Sequence, residues 1–107
     1  MAKYLLHASY TEEGLKGLLK DGGSKRRAAA EEAMKSVGGR IEAFYFAFGE
    51  ADAYVIVDMP DNVTATAAAL TVNASGAVRI KTTVLMTPDE VDQAIKKRVA
   101  YSAPGKQ

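Results

Sequence analysis

Two neighbouring segments rich in aromatic and β-branched residues constrain the fold of this chain most. They are residues 40–48 (RIEAFYFAF) and 51–59 (ADAYVIVDM), and only Gly49-Glu50 separates them. Such residues favour strands, and a short glycine-containing link joins two strands as a hairpin. The sequence therefore predicts an antiparallel hairpin in the middle of the chain.

Further strands and helices are predicted on both sides of this hairpin. Residues 3–10 and 77–86 read as the first and fourth strands, because apolar residues recur with the two-residue period of a strand. Helix boundaries are indicated by capping residues and glycines. The predicted helices run from Thr11 as N-cap to Gly22-Gly23, from Ser24 as N-cap to Gly38-Gly39, over about 63–74 until Ser75-Gly76, and from Thr87-Pro88 to about 99.

This order of elements predicts an α+β fold. It is the ferredoxin-like βαββαβ arrangement of an antiparallel sheet, with an added C-terminal helix. Right-handed crossovers place the helices on one face of the sheet, with the first strand between the third and fourth. The 107 residues predict one domain, with an ordered core over about 3–99 and an irregular tail over 100–107. The other sheet face is bare, and we expect a second copy to cover it as a homo-oligomer.

Composition limits the classes of partner and cofactor. With 14 basic and 13 acidic residues, no overall field favours nucleic acid or an anionic membrane. The absence of cysteine and the single histidine exclude thiolate chemistry and a multi-histidine metal site within one chain, and we predict no cofactor. There is neither a secretory signal pattern nor a run of about 20 apolar residues. We therefore predict a cytoplasmic protein without membrane partners.

Alternation along the strands predicts which side chains face the helices. The expected helix-facing set is Leu6, Ala8, Phe44, Phe46, Phe48, Val55, Val57, Val78 and Ile80. The opposite parity places a mixed polar and apolar set on the bare face: His7, Ser9, Tyr45, Asp52, Tyr54, Arg79, Lys81 and Thr83, with Leu5, Ala43, Ala47, Ile56 and Leu85.

His7 is the centre of the first candidate site. The expected strand order puts this imidazole between Tyr54 or Asp52 on one side and Arg79 or Lys81 on the other. A titratable ring beside a phenol, a carboxylate and a cation suits acid–base chemistry or ligand binding. The candidate catalytic residues are His7, Tyr45, Asp52 and Arg79, and the candidate ligand-binding residues are Ser9, Tyr54 and Lys81. The alternative is that these polar groups pair across a subunit interface.

A basic turn forms the second candidate site. In GGSKRR (22–27), two glycines let backbone amides converge, a helix N-terminus follows, and three cations lie nearby. These features suit a phosphate or carboxylate bound by Gly22, Gly23, Ser24, Arg26 and Arg27. The alternative is a helix break followed by a solvated basic turn.

Several segments together resemble the GYD-domain family of small bacterial proteins. The resemblance covers about residues 3–105, and its most distinctive pieces are SYT (9–11), GGSKRR (22–27), YFAFGEAD (45–52) and ASGAV (74–78). The glycine and aspartate of the family's name are matched by Gly49 and Asp52, while Ala51 replaces the aromatic residue. The resemblance implies a ferredoxin-like fold of the dimeric α+β barrel type, and it implies no particular reaction.

Two function classes follow from these observations. In the first, the protein is a non-enzymatic homo-oligomer that binds a small anionic ligand through the basic turn or the His7 face. In the second, it resembles the cofactor-free enzymes of the dimeric α+β barrel type, such as monooxygenases or isomerases, with His7 as the acid–base group. The first is preferred.

Overall fold

The computed structural model describes residues 1–106, and within them four strands and four helices follow in the predicted order. Their bounds are β1 (Ala2–Tyr10), α1 (Glu12–Asp21), α2 (Gly23–Ser36), β2 (Arg40–Phe46), β3 (Ala53–Met59), α3 (Asn62–Ala74), β4 (Val78–Leu85) and α4 (Pro88–Ile95). The strands form one antiparallel sheet in the order β2-β3-β1-β4. The first strand lies between the third and fourth, so the predicted α+β, ferredoxin-like arrangement is confirmed.

Burial alternates along the central strands as the sequence predicts. Leu6, Ala8, Val55 and Val57 are buried under the helices, and Val78 and Ile80 are half-buried beside them. The core around these residues also contains Tyr4, Met34 and Met59. Helix α2 packs on β2, while α3 packs on β3 and β4. One sheet face is therefore covered by helices.

The central hairpin is shorter than predicted. Strand β2 ends at Phe46 and β3 begins at Ala53, so residues 47–52 form the connection instead of Gly49-Glu50 alone. The prediction that Phe48 lies under the helices is wrong, because this side chain is in the connection and fully exposed. Phe46 remains partly exposed at the sheet edge, while Phe44 packs against the core.

The break between α1 and α2 also differs in detail from the prediction. Gly22 alone forms it, with a φ of 85° that favours glycine. Gly23 is already the first residue of α2, and a Cβ there would lie 3.0 Å from the Phe46 ring. The prediction of Ser24 as N-cap is wrong, because the helix begins before it and has no side-chain cap. Thr11 does cap α1, accepting a hydrogen bond from the Gly14 amide.

The C-terminal helix begins as predicted and ends early. Thr87 and Glu90 form the capping box, with reciprocal hydrogen bonds of 3.2 and 2.9 Å. Helix α4 ends at Ile95 rather than near 99, and residues 96–106 form neither helix nor strand. The last residue of the predicted tail, Gln107, lies outside the described residues. None of the helices over residues 1–106 is long and apolar enough to cross a membrane.

Candidate functional site

The bare sheet face brings His7 next to two of its predicted neighbours. In the strand register, His7 pairs with Tyr54 on β3 and with Lys81 on β4. Its Nε2 atom lies 3.1 Å from the Thr83 hydroxyl oxygen, and its ring meets the Tyr54 ring edge-on with centroids 5.4 Å apart. The imidazole thus contacts the Thr83 hydroxyl and the Tyr54 ring, and Lys81 is its register partner on β4.

The other predicted members of this face lie along the same strands. Ser9 pairs with Arg79 at the end of β1, and Tyr45 pairs with Tyr54. Tyr45 is 72% exposed, so its ring stands out from the sheet. The face therefore presents a row of polar groups to solvent.

Asp52 is not part of the row around His7. It lies in the connection before β3, where strand alternation does not hold, and its carboxylate accepts a hydrogen bond of 2.9 Å from the Tyr10 amide. Its own amide donates to the Ala8 carbonyl. Asp52 thereby fixes the end of β1 beside α1, and within residues 1–106 it forms no hydrogen bond with His7.

A charged cluster that was not predicted from the sequence lies at the opposite end of the bare face. Asp58 is only 5% exposed and accepts hydrogen bonds from Lys3 at 2.8 Å and from Arg40 at 2.7 Å. Lys3 also binds Glu42 at 2.9 Å. The Lys3 hydrogen bond lowers the pKa of Asp58, and these two carboxylates raise the pKa of Lys3. The sequence contains a signal for this cluster. Strand alternation places Asp58 on the bare face, and the predicted strand order places it beside Lys3 on the neighbouring strand.

The basic turn does not bring its three cations to one point. Lys25 pairs at 3.7 Å with Asp21, the last residue of α1, and Arg27 pairs at 3.1 Å with Glu31 along the exposed surface of α2. Arg26 points the other way, toward the sheet, and is only partly exposed. Consecutive helical positions are about 100° apart around the axis, which explains why these neighbours diverge.

Arg26 lies at a cavity of about 120 Å³ between α2 and the sheet. This cavity was not predicted from the sequence. Most of its lining is apolar and comes from both layers of the fold. The lining residues are Leu6, Ala8, Tyr10, Arg26, Ala29, Ala30, Ala33, Met34, Ile41, Phe44, Ala53, Val55, Val72, Val78 and Ile80.

Short side chains explain why this space is not filled. The α2 residues that line the cavity include Ala29, Ala30 and Ala33, which cannot reach across the gap as leucines would. The sheet floor below includes Ala8 and Ala53, which are also small. The spacing of these three alanines along one side of α2 is the sequence signal for this cavity.

Two residues with polar side chains, Arg26 and Tyr10, are among the lining residues of the otherwise apolar cavity. Among the ion pairs of residues 1–106, none involves Arg26. Glu13 and Asp21 share an adjoining groove with Arg26 without pairing with it. A planar cation with free donors at an apolar cavity suits a carboxylate or another small oxyanion.

Metal binding has no visible site in the described part of the chain. Over residues 1–106, no three histidine, aspartate or glutamate side chains are grouped so that they could hold a metal ion.

Comparison with known proteins gives a family and no named relative. A family model described as the GYD domain matches residues 4–95, from β1 to the end of α4. No curated protein and no solved structure matches the chain significantly.

Proposed function

This chain belongs to the GYD domain family, and from that premise we propose that it is a homo-oligomeric protein that binds a small anionic ligand. The ligand site is the Arg26 end of the cavity between α2 and the sheet. The oligomer forms through the bare sheet face, as in the dimeric α+β barrel type. We also propose a cytoplasmic location, which fractionation of cells would test.

The anion-binding proposal rests on the position of Arg26 at the cavity and on its lack of an ion-pair partner within residues 1–106. Its neighbours Lys25 and Arg27 are engaged by Asp21 and Glu31 on the helix surface, whereas Arg26 is directed at the cavity without a carboxylate partner in residues 1–106. A partly desolvated guanidinium gains more from an incoming anion than a fully hydrated one does. Arg26 is therefore the cation of the basic turn best placed to select a ligand.

The composition of the bare face supports the oligomer. Leu5 and Ile56 are paired neighbours at its centre, and Ala43 lies beside Ile56. Charged and aromatic groups surround this apolar centre, including the Lys3–Asp58 pair and Tyr45. An apolar centre with a polar rim is the usual anatomy of a protein interface.

Thermal unfolding with inorganic phosphate and with formate tests the anion site. A ligand at ten times its Kd adds about 1.4 kcal/mol of stability, so the melting temperature should rise by several degrees. Arg26→Gln should abolish this rise, whereas Arg27→Gln should leave it in place. If Arg27→Gln abolishes the rise and Arg26→Gln does not, the anion binds the exposed turn and the cavity site is wrong.

A second candidate function is acid–base catalysis at His7 without a cofactor. The observation in its favour is the imidazole held between the Thr83 hydroxyl and the Tyr54 ring, with Lys81 opposite on β4. His7 would exchange the proton, while Tyr45 and Arg79 would orient a small aromatic or enol substrate from the same face. Under this proposal, His7→Ala abolishes turnover and preserves the oligomer. Loss of assembly in that variant would instead assign His7 to the interface.

A further inference from the structure

We propose that the ligand is a monocarboxylate with a compact apolar body about the size of a benzene ring, held with its body in the α2–sheet cavity and its carboxylate on Arg26. This inference rests on the proposed function, because it names the class of anion that the same site selects. It adds that the ligand must have an apolar body, which anion binding alone does not require.

The volume and the lining of the cavity set the size and polarity of that body. Its volume is about 120 Å³, and its walls include Leu6, Val55, Ala30 and Val72 from the sheet and from both neighbouring helices. An apolar cavity of about 150 Å³ in a protein interior stays dry and accepts benzene. A six-membered ring or a short branched chain therefore fits this space, whereas a long chain would have to leave through the opening.

The polar residues that line the cavity determine how many charges the ligand can carry and where they lie. Only Arg26 among the lining residues is cationic, and Tyr10 adds one hydroxyl. A single carboxylate can form two parallel hydrogen bonds with a guanidinium. A second charge or a hydroxyl on the far side of the ring would face apolar lining residues such as Leu6 and Ile41, which offer no hydrogen-bonding side chain. The site thus favours one anionic group at one end of an apolar molecule.

Substitutions of the alanines that line the cavity from α2 test this inference. Ala30→Leu would fill the part of the cavity that receives the ring and would retain Arg26, which lies one helical turn before it on α2. Ala28 lies on the same helix outside the cavity lining, so Ala28→Leu is the matched control. Ala33→Leu is a second filling variant from the next turn of α2, for use if the first does not fold.

The experiment is calorimetric titration of the full chain with benzoate, formate and 4-hydroxybenzoate. Benzoate should bind wild type about thirtyfold or more tightly than formate, because its ring leaves water. The 4-hydroxyl group should weaken binding about tenfold or more, because it loses hydration without gaining a partner. Ala30→Leu should reduce benzoate affinity to that of formate, and Ala28→Leu should not.

The outcomes separate this inference from the function on which it rests. Equal affinities for benzoate and formate in wild type, or an unchanged benzoate preference in both filling variants, would overturn the apolar-body inference and leave anion binding at Arg26 standing. If phosphate, formate and benzoate all fail to bind wild type, the proposed function fails as well. Benzoate binding that survives Arg26→Gln undiminished would also overturn the assignment of the carboxylate to that residue.

Discussion

Lys3 and Asp58 face each other across β1 and β3, with the Lys3 ammonium nitrogen 2.8 Å from Asp58 Oδ1. Arg40 binds the other carboxylate oxygen from β2, so one nearly buried carboxylate joins three neighbouring strands. All three residues lie on the face without helices. This arrangement fixes the register of the strands at one end of the sheet, on the face opposite the buried core residues Tyr4, Val57 and Met59.

Replacing Asp58 with asparagine should destabilise the fold. The amide keeps the size of the side chain but loses the charge that offsets Lys3 and Arg40. Hydrogen bonds to charged groups contribute about 1.5 to 3 kcal/mol each, so we expect the free energy of unfolding to fall by about 2 kcal/mol at pH 7. Urea denaturation measures this loss. Glu42→Gln is the control, because Glu42 is far more exposed and should cost under about 1 kcal/mol.

The same cluster predicts a dependence of stability on pH. Folding lowers the pKa of Asp58 from its ordinary 3.8, so its contribution is fully present above that value and is lost as the pH falls through the lowered pKa. Folding raises the pKa of Lys3 above 10.5, so its contribution is present below that pH and is lost as the pH rises further. Unfolding free energies across acid pH should fall less steeply in Asp58→Asn. The Asp61 carboxylate, whose pKa is lowered by the Thr64 amide, would supply part of the remaining slope.

Two glycines in α1 should respond in opposite directions to the same substitution. A Cβ on Gly14 would lie 2.0 Å from the Ala77 carbonyl oxygen, whereas a Cβ on Gly17 would meet nothing within 4 Å. Gly14→Ala should therefore lower the free energy of unfolding by about 2 kcal/mol or more, because backbone must move. Gly17→Ala should raise it by about 0.5 to 1 kcal/mol, since alanine favours helix. Equal effects in thermal unfolding would contradict the close packing of α1 on the loop before β4.

The fold was predictable because several local signals agreed. Period-two alternation in β1 and β3, the Thr11 and Thr87 caps and the Ser75-Gly76 helix end all fit one topology. The errors lie where tertiary contacts override local sequence. Ser24 has the chemistry of a cap, yet Gly22 takes the positive φ at the break and α2 begins two residues earlier than a Ser24 cap allows.

The sequence was sufficient to predict individual residues of the site, but not their arrangement as a whole. Strand order and parity correctly placed His7 beside Tyr54 and Lys81, because register follows from alternation. They could not place Asp52, since its side chain turns to the Tyr10 amide outside the regular strand. They also could not indicate a cavity, because empty space results from the distance between layers as well as from small residues such as Ala30.

The hydrogen bond of Asp52 predicts a structural effect of mutating it. Asp52→Ala leaves the Tyr10 amide without its acceptor, so the free energy of unfolding should fall by about 1 to 2 kcal/mol. Asp52→Asn keeps a side-chain oxygen that can accept and should lose less than half as much. Chemical denaturation of both variants measures this difference. A loss of equal size in both would show that the charge, rather than the acceptor, is what the site requires.

Ile56 tests the proposed oligomer, because it lies beside Leu5 at the centre of the bare face. A lysine there would bring an ammonium group into an interface that must exclude water, so Ile56→Lys should convert the oligomer to a folded monomer. Light scattering coupled to size-exclusion chromatography gives the mass, and circular dichroism shows whether the fold is retained. Leu70→Lys is the matched control, since Leu70 is 66% exposed on α3 and should leave the mass unchanged. A wild-type protein that is monomeric throughout the micromolar range, or a mass lost only in Leu70→Lys, would rule out the bare sheet face as the interface.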